Sequence, residues 1–298
     1  MLSYLQAIVL GFVQGFSELF PVSSLGHSVL VPAWLGWHNL VSSQSAASGQ
    51  AEFFLAFVVG LHVATAFALL WFFRADWVRI IGGFFATIRT RRIETPSQRL
   101  AWLLVVATIP AGIMGIAFEH ELRTIFAKPA AAAVFLTING LVLMAGERLR
   151  RRDEVRALAA RSPQSDTSAE PGRRLDTLNF KEAGVIGVAQ VFALLAGISR
   201  SGITMVAGLV RGLDHEDAAR FSFLLATPVI LAAGLYKIPD LVSLGHGIYL
   251  QILVGSVCAA VGAYVSVRFL VRWFQTRTLW PFAIYCLVVG VVSIVRFA

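Results

Sequence analysis

Apolar residues run through this chain in blocks long enough to cross a bilayer, and the breaks between the blocks carry its polar groups. Spanning the hydrocarbon takes ~20 predominantly apolar residues. Six segments qualify, at approximately residues 53–73, 100–118, 130–146, 221–236, 249–271 and 280–297. Two further regions are interrupted. An apolar stretch from Leu2 stops at Pro21-Val22-Ser23-Ser24, and the next apolar run reaches only from residue 25 to 35. Residues 183–198 are followed by Ser199-Arg200-Ser201-Gly202 and a run that ends at Arg211. Each region reads as a re-entrant helical hairpin that enters and leaves the membrane on one face with its polar tip inside. Such broken backbone is tolerated at depth only when it is buried in protein or lines a wet cavity.

The two interrupted regions are one motif written twice. Offset by 176 positions, Gly11/Gly187, Gln14/Gln190, Phe16/Phe192, Leu19/Leu195, Ser23/Ser199, Gly26/Gly202 and Gly36/Gly212 coincide. Chance similarity between helices rich in Gly and Leu is the plainer account, but the matches include Gln and Ser. Where the copies differ, the differences are chemical: Glu18 and His27 stand opposite Leu194 and Ile203, and Arg200 and Ser201 stand opposite Ser24 and Leu25. A hairpin returns the chain to its starting face and three spans then carry it across, so the second copy begins on the opposite face. The pattern predicts an all-α integral membrane protein with an inverted-topology repeat, each half a re-entrant helical hairpin plus three transmembrane helices, its polar tips converging near the midplane. The first repeat covers residues 1–146 with its hairpin at 1–36, a cytoplasmic linker covers 147–179, and the second repeat covers 180–298 with its hairpin at 180–212.

Composition agrees with that solvent. Hydrophobic residues make up 57% of the chain and charged residues 14%, with a mean hydropathy of +0.74, whereas soluble domains carry about 25% charged residues. Of the 25 Lys and Arg, 20 fall on one predicted face, chiefly in a loop at residues 74–99, in the segment 148–181 and in the region 268–277. Only Arg123, Lys128, Lys237 and Arg296 fall on the other, and Arg200 lies in the motif itself. The crowded face is cytoplasmic by the positive-inside rule, so both termini and the opening of the first hairpin face outward. Topogenic arginine also accounts for the net charge of +8 without nucleic acid as a partner. Residues 148–174 mix charge, Ser, Pro and Ala without apolar periodicity and read as a mobile linker, and residues 41–50 as an outward loop. Cys258 and Cys286 lie inside predicted spans, as small apolar side chains and not as a disulfide pair. The first apolar segment lacks a basic n-region and reads as structure, not as a cleaved leader.

Ionised groups inside a membrane cost roughly 2.5–3.5 kcal/mol on insertion scales, so they pair with one another or line a functional cavity. Gln14 and Glu18, four residues apart, share a helix face, and their oxygens suit Mg²⁺ or Ca²⁺ when substrate phosphates complete the shell. Ser199, Arg200, Ser201 and Thr204 combine a guanidinium fork suited to phosphate with hydroxyls at the start of a short helix whose N–H groups favour an anion. Ser23 and Ser24 offer a similar cap, and His27 a group able to move a proton. Structural alternatives stand beside each reading: helix capping for the serines, a satisfied core histidine for His27, a salt bridge to Glu18 for Arg200.

The stretch Gln14-Gly-Phe-Ser-Glu18-Leu-Phe-Pro-Val-Ser-Ser-Leu-Gly-His27 resembles the first signature of the undecaprenyl-diphosphate phosphatases, also called bacitracin-resistance proteins. Gly197-Ile-Ser-Arg-Ser-Gly-Ile-Thr204 resembles their second. Leu61-His62, the Pro110 region, the segment ending at Pro228 and the segment Pro281 to Tyr285 look like further landmarks of that family. The resemblance implies hydrolysis of an acid anhydride, undecaprenyl diphosphate, to the monophosphate, recycling the lipid carrier of peptidoglycan synthesis from the outer face of the bacterial inner membrane. It implies a divalent cation at Glu18 with Gln14, and diphosphate at Ser199, Arg200, Ser201 and Thr204. Ser24 and His27 fall where the nucleophile or proton-transfer groups lie; the attacker is Ser24, or a water activated by His27 or Glu18. Membrane lipid is a partner, nucleic acid is not, and a homodimer is one arrangement open to such a chain. Ala196, Val58 and Cys286 depart from the family pattern, which allows weaker metal binding or altered substrate preference. A polyprenyl-phosphate transporter with the same repeats is the competing reading, but transport requires neither the proton-transfer group nor the metal.

Overall fold

The computed structural model describes residues 2–37, 40, 49–118, 128–159, 173–243 and 249–297. Among them the chain is helical, with one isolated β-bridge between Arg173 and Leu213. Helix α1, Tyr4–Leu19, begins in a capping box between Ser3 and Gln6 and ends just before Pro21. Helix α2, Ser24–Trp34, is capped by Ser23, whose side chain accepts the Gly26 N–H. Helices α3 (Gly49–Phe72), α4 (Arg74–Thr90), α5 (Pro96–Ala117) and α6 (Pro129–Ala159) follow. After a short 3₁₀ turn come α7 (Phe180–Val191), α8 (Arg200–Val210), α9 (His215–Ser243), α10 (Tyr249–Trp273) and α11 (Trp280–Phe297).

Among the described residues, five helices are long and apolar enough to cross a membrane, and the α3/α4 pair, bent by 89°, makes up to a sixth candidate. Their outer surfaces keep Phe67, Ile113, Val257 and Val295 exposed, as lipid contact requires, while Leu69, Leu136, Leu143, Phe221 and Phe223 fill the interior. The interrupted regions are the short pairs α1/α2 and α7/α8, as the break at each polar tip predicts. Both second arms start on a serine cap, Ser23 for α2 and Ser199 for α8, and both end against a glycine at positive φ, Gly36 at 68° and Gly212 at 88°. Helix α7 tightens into a 3₁₀ turn at Phe192–Leu194 and then passes Gly197 at φ 118°. A Cβ at Gly197 would also strike the backbone of α6, so only glycine suits the position.

Two expectations are corrected. The loop expected at residues 74–99 contains α4, which opens with Asp76 in its first turn and closes with Arg91 in the left-handed conformation. Its charges concealed an amphipathic pattern: Ile80 turns inward and Phe84 packs on Trp102 of α5, while Val78, Ile81 and Phe85 face out. The linker expected from residue 147 does not begin there, because α6 continues to Ala159. Its Arg, Leu, Glu and Ala are strong helix formers, and buried Glu147 ties the helix to His215 at 2.9 Å and to the Leu279 N–H at 3.2 Å. Residues 173–179 are also anchored, since Leu175 and Leu178 are buried and Arg173 pairs with Glu182 at 2.7 Å. The outward loop expected at 41–50 falls mostly outside the described residues.

Candidate active site

Glu18 sits in the last turn of α1 and is 6% exposed. Burial of a carboxylate requires partners on every oxygen, and four side chains supply them. Gln14 Nε2, one helical turn back, donates to Oε2 at 3.1 Å. The Ser24 hydroxyl, at the start of α2, donates to the same oxygen in a short bond. From α3, His62 Nε2 approaches Oε2 at 3.3 Å. Arg200 Nη2, at the start of α8, pairs with Oε1 at 2.9 Å. The salt bridge to Glu18, the structural alternative for Arg200, is therefore formed. The second fork nitrogen of Arg200 donates to the Ser222 carbonyl at 3.1 Å, which fixes the guanidinium plane.

The two hairpin tips are latched together. Ser23 Oγ accepts the N–H of Gly26 in its own hairpin and of Gly197 in the other, each at 3.2 Å. Asn139 of α6 grips both tips as well: its Nδ2 donates to the Pro21 carbonyl at 3.0 Å and its Oδ1 accepts the Ser199 N–H at 2.9 Å. The same Nδ2 lies 3.3 Å from Cys286 Sγ, so the cysteine at this departure from the family pattern is a buried packing group beside the latch. Ser23 holds φ at 72°. A non-glycine residue in that region is strained and persists only where its surroundings over-determine it.

The remaining expected residues line the same place but bond chiefly to protein. Ser199 Oγ accepts the Gly202 N–H at 3.1 Å and lies 3.0 Å from Ser201 Oγ. Ser201 Oγ donates to the Phe20 carbonyl at 3.2 Å. Thr204 Oγ1 donates to the Arg200 carbonyl at 2.8 Å and lies 2.7 Å from Ser222 Oγ. These hydroxyls shape the start of α8 around Arg200. His27 Nδ1 lies 2.7 Å from the Ser23 carbonyl, so that nitrogen carries the proton, and Nε2 accepts from the Tyr285 hydroxyl at 2.8 Å. The geometry thus gives Ser24 its contact with Glu18 and turns His27 toward Tyr285.

Four participants were not expected as site residues: His62, Asn139, Ser222 and Tyr285. His62 and Asn139 carried a usable signal, being polar groups in the middle of apolar runs, where such residues are functional by default. Ser222 and Tyr285 carried none beyond the family landmarks.

A divalent cation would find oxygen chemistry here. The Glu18 carboxylate, the Gln14 amide oxygen and the Ser24 hydroxyl are hard donors of the kind Mg²⁺ and Ca²⁺ prefer. The described residues hold no group of three or more His, Cys, Asp or Glu able to bind a metal by itself. The donor set therefore fits a cation that takes much of its shell from a phosphate ligand and water.

Residues 7–292 match the family model described as bacitracin resistance protein BacA. The chain is 58% identical to undecaprenyl-diphosphatase 2 of Frankia alni, an alignment that covers 100% of this chain and 98% of that relative. It is 57% identical to an undecaprenyl-diphosphatase of Mycobacterium avium, again over 100% of this chain and 98% of the relative. It is 43% identical to undecaprenyl-diphosphatase 2 of Chromobacterium violaceum, over 97% of each.

Proposed function

The chain belongs to the bacitracin resistance protein BacA family and hydrolyses undecaprenyl diphosphate to undecaprenyl phosphate and inorganic phosphate, and we propose that it does so where Glu18, Ser24 and Arg200 converge. The carrying observation is that one buried carboxylate holds the Ser24 hydroxyl on one oxygen and the Arg200 fork on the other. Phosphoryl transfer depends mostly on positioning and charge stabilisation, and these groups supply both. Purified protein in detergent should release inorganic phosphate from undecaprenyl diphosphate in the presence of Mg²⁺ or Ca²⁺. Binding of the lipid without phosphate release would overturn the reading.

In the proposed mechanism the diphosphate displaces Arg200 from Glu18 and takes the guanidinium fork for its own oxygens. Freed of its cationic partner, Glu18 is the base that accepts the Ser24 proton. Ser24 Oγ attacks the terminal phosphorus, the bridging P–O bond breaks, and undecaprenyl phosphate leaves. Water then attacks the phosphoserine, the P–O bond to Ser24 breaks as Glu18 hands its proton back to the Ser24 oxygen, and inorganic phosphate leaves with both protons of the water, which restores the Glu18 carboxylate. The N–H groups at the start of α8, aimed by the Ser199 cap, face the developing negative charge. A divalent cation bound through Glu18 and Gln14 would neutralise the charge of the diphosphate. Rapid acid quench during turnover is expected to trap phosphate on Ser24, and Ser24→Ala is expected to abolish it. Quenched enzyme free of phosphate during steady turnover would assign the attack to water.

The inverted repeat is part of the same proposal, and the helix packing supports it. Helix α1 packs on α10 as α7 packs on α5, and α3 packs on α10 as α9 packs on α5. The matched glycines carry those approaches: a Cβ at Gly11 would strike the α10 backbone at Gly255, and one at Gly187 the α5 backbone at Ala107. With the Arg-rich face cytoplasmic, the first hairpin opens to the periplasmic side. In a Cys258→Ser background, cysteine introduced at Ser28 should react with an impermeant thiol reagent from outside and be protected by substrate. Labelling from the cytoplasmic face alone would reverse the orientation.

A further inference from the structure

The proposed mechanism leaves a second polar cavity unused. A volume of about 220 Å³ opens between α4, the first turns of α5, the segment at residues 174–176 and the start of α9. Four arginines line it, Arg79, Arg99, Arg174 and Arg220, against three aspartates, Asp76, Asp176 and Asp217. The aspartates are largely committed. Asp76 accepts from Arg79 at 2.6 Å and from Arg220 at 2.8 Å, and Asp217 accepts the Leu175 N–H at 2.7 Å. Arg99 contributes a buried Nε–H for which the described residues supply no acceptor. A guanidinium donor without an acceptor is costly, and the acceptor it lacks would be an oxyanion.

The setting narrows the anion. All four arginines belong to the face proposed as cytoplasmic, a premise on which this inference rests. Helix α4, which lines the cavity with Asp76, Arg79 and Ile80, turns by 89° from α3 and leaves Val78, Ile81, Phe85 and Ile88 exposed. An apolar outer face next to clustered arginine is the pattern of a helix lying at the surface of an anionic leaflet. The volume is below the roughly 300–1,000 Å³ of pockets for drug-sized ligands, and it suits a headgroup-sized group.

We propose that this cavity binds a phosphate anion at the membrane surface, carried by the headgroup of an acidic phospholipid or present as free phosphate. Full-length protein in detergent, titrated with phosphatidylglycerol, phosphatidylcholine or inorganic phosphate while thermal unfolding is followed, distinguishes the sources. Phosphatidylglycerol is expected to raise the unfolding temperature saturably and phosphatidylcholine to leave it unchanged, with Arg99→Gln/Arg174→Gln weakening the effect about tenfold. A stabilisation by inorganic phosphate that is lost in the same variant but kept in Arg200→Lys would assign the cavity to the free anion. Arg89→Gln/Arg92→Gln removes the same charge from exposed positions on this face and should change nothing. Exposed Arg174→Gln alone, with phosphate release from substrate retained, guards against a folding artefact. The proposal fails if neither anion's effect depends on Arg99 and Arg174, or if the exposed pair matters as much.

Discussion

Arg200→Lys is expected to lower phosphate release from undecaprenyl diphosphate by ~10²–10³-fold, the scale of removing one donor from a charge-stabilising site. Lysine preserves the positive charge and can still pair with Glu18, so the protein should insert and unfold at a nearly unchanged temperature. What it lacks is the fork. Arg200 uses Nη2 on Glu18 and Nη1 on the Ser222 carbonyl, a planar arrangement that a single ammonium cannot reproduce. The loss should therefore appear in kcat as well as in KM. Turnover within a few-fold of the parent protein would make Arg200 a structural counter-ion of Glu18, and the diphosphate would have to be bound elsewhere.

Glu18→Gln is expected to cost activity on the order of 10²-fold or more and to change the cation dependence with it. The amide oxygen can still accept from Arg200, and the Ser24 hydroxyl can turn to accept from the amide nitrogen, so the packing survives, but the base for Ser24 and the charged oxygen donor are both lost. Loss of the donor should raise the Mg²⁺ or Ca²⁺ concentration needed for half-maximal rate by at least ~10-fold, since even outer-shell partners of a metal contribute that much. The measurement is phosphate release across a metal titration after chelation of endogenous cations. An unchanged half-maximal metal concentration would remove Glu18 from cation binding whatever the rate.

The paired short helices were legible because polar residues interrupt apolar runs at matched positions, and the Ser23/Ser199 match reappears as two helix caps, the structural alternative that the sequence left open for Ser23. Glu18, Arg200, Ser24 and Gln14 meet as charge logic requires inside a membrane. The partners that tune them were harder to read. His62 reaches Glu18 from a helix that the pattern marks only as a span, and Asn139 holds both tips through backbone groups whose positions depend on tertiary packing. Helix α4 and the end of α6 were missed for a different reason: dense arginine suggested a loop, although arginine is a good helix former.

Division of the site between the halves of the chain has a consequence for biosynthesis. The amino-terminal half leaves the ribosome first, carrying Glu18 into the bilayer when Arg200 has not yet been translated. Until α8 arrives, the carboxylate has Gln14, Ser24 and His62 of its own half as partners but not Arg200. The Ser23 hydroxyl likewise awaits the Gly197 N–H that will lock its strained turn. The arginine proposed to take the diphosphate thus arrives with the element that completes the latch, and a chain terminated before α8 is expected to lack hydrolytic activity. Activity is in this sense a signal that translation and insertion have both finished.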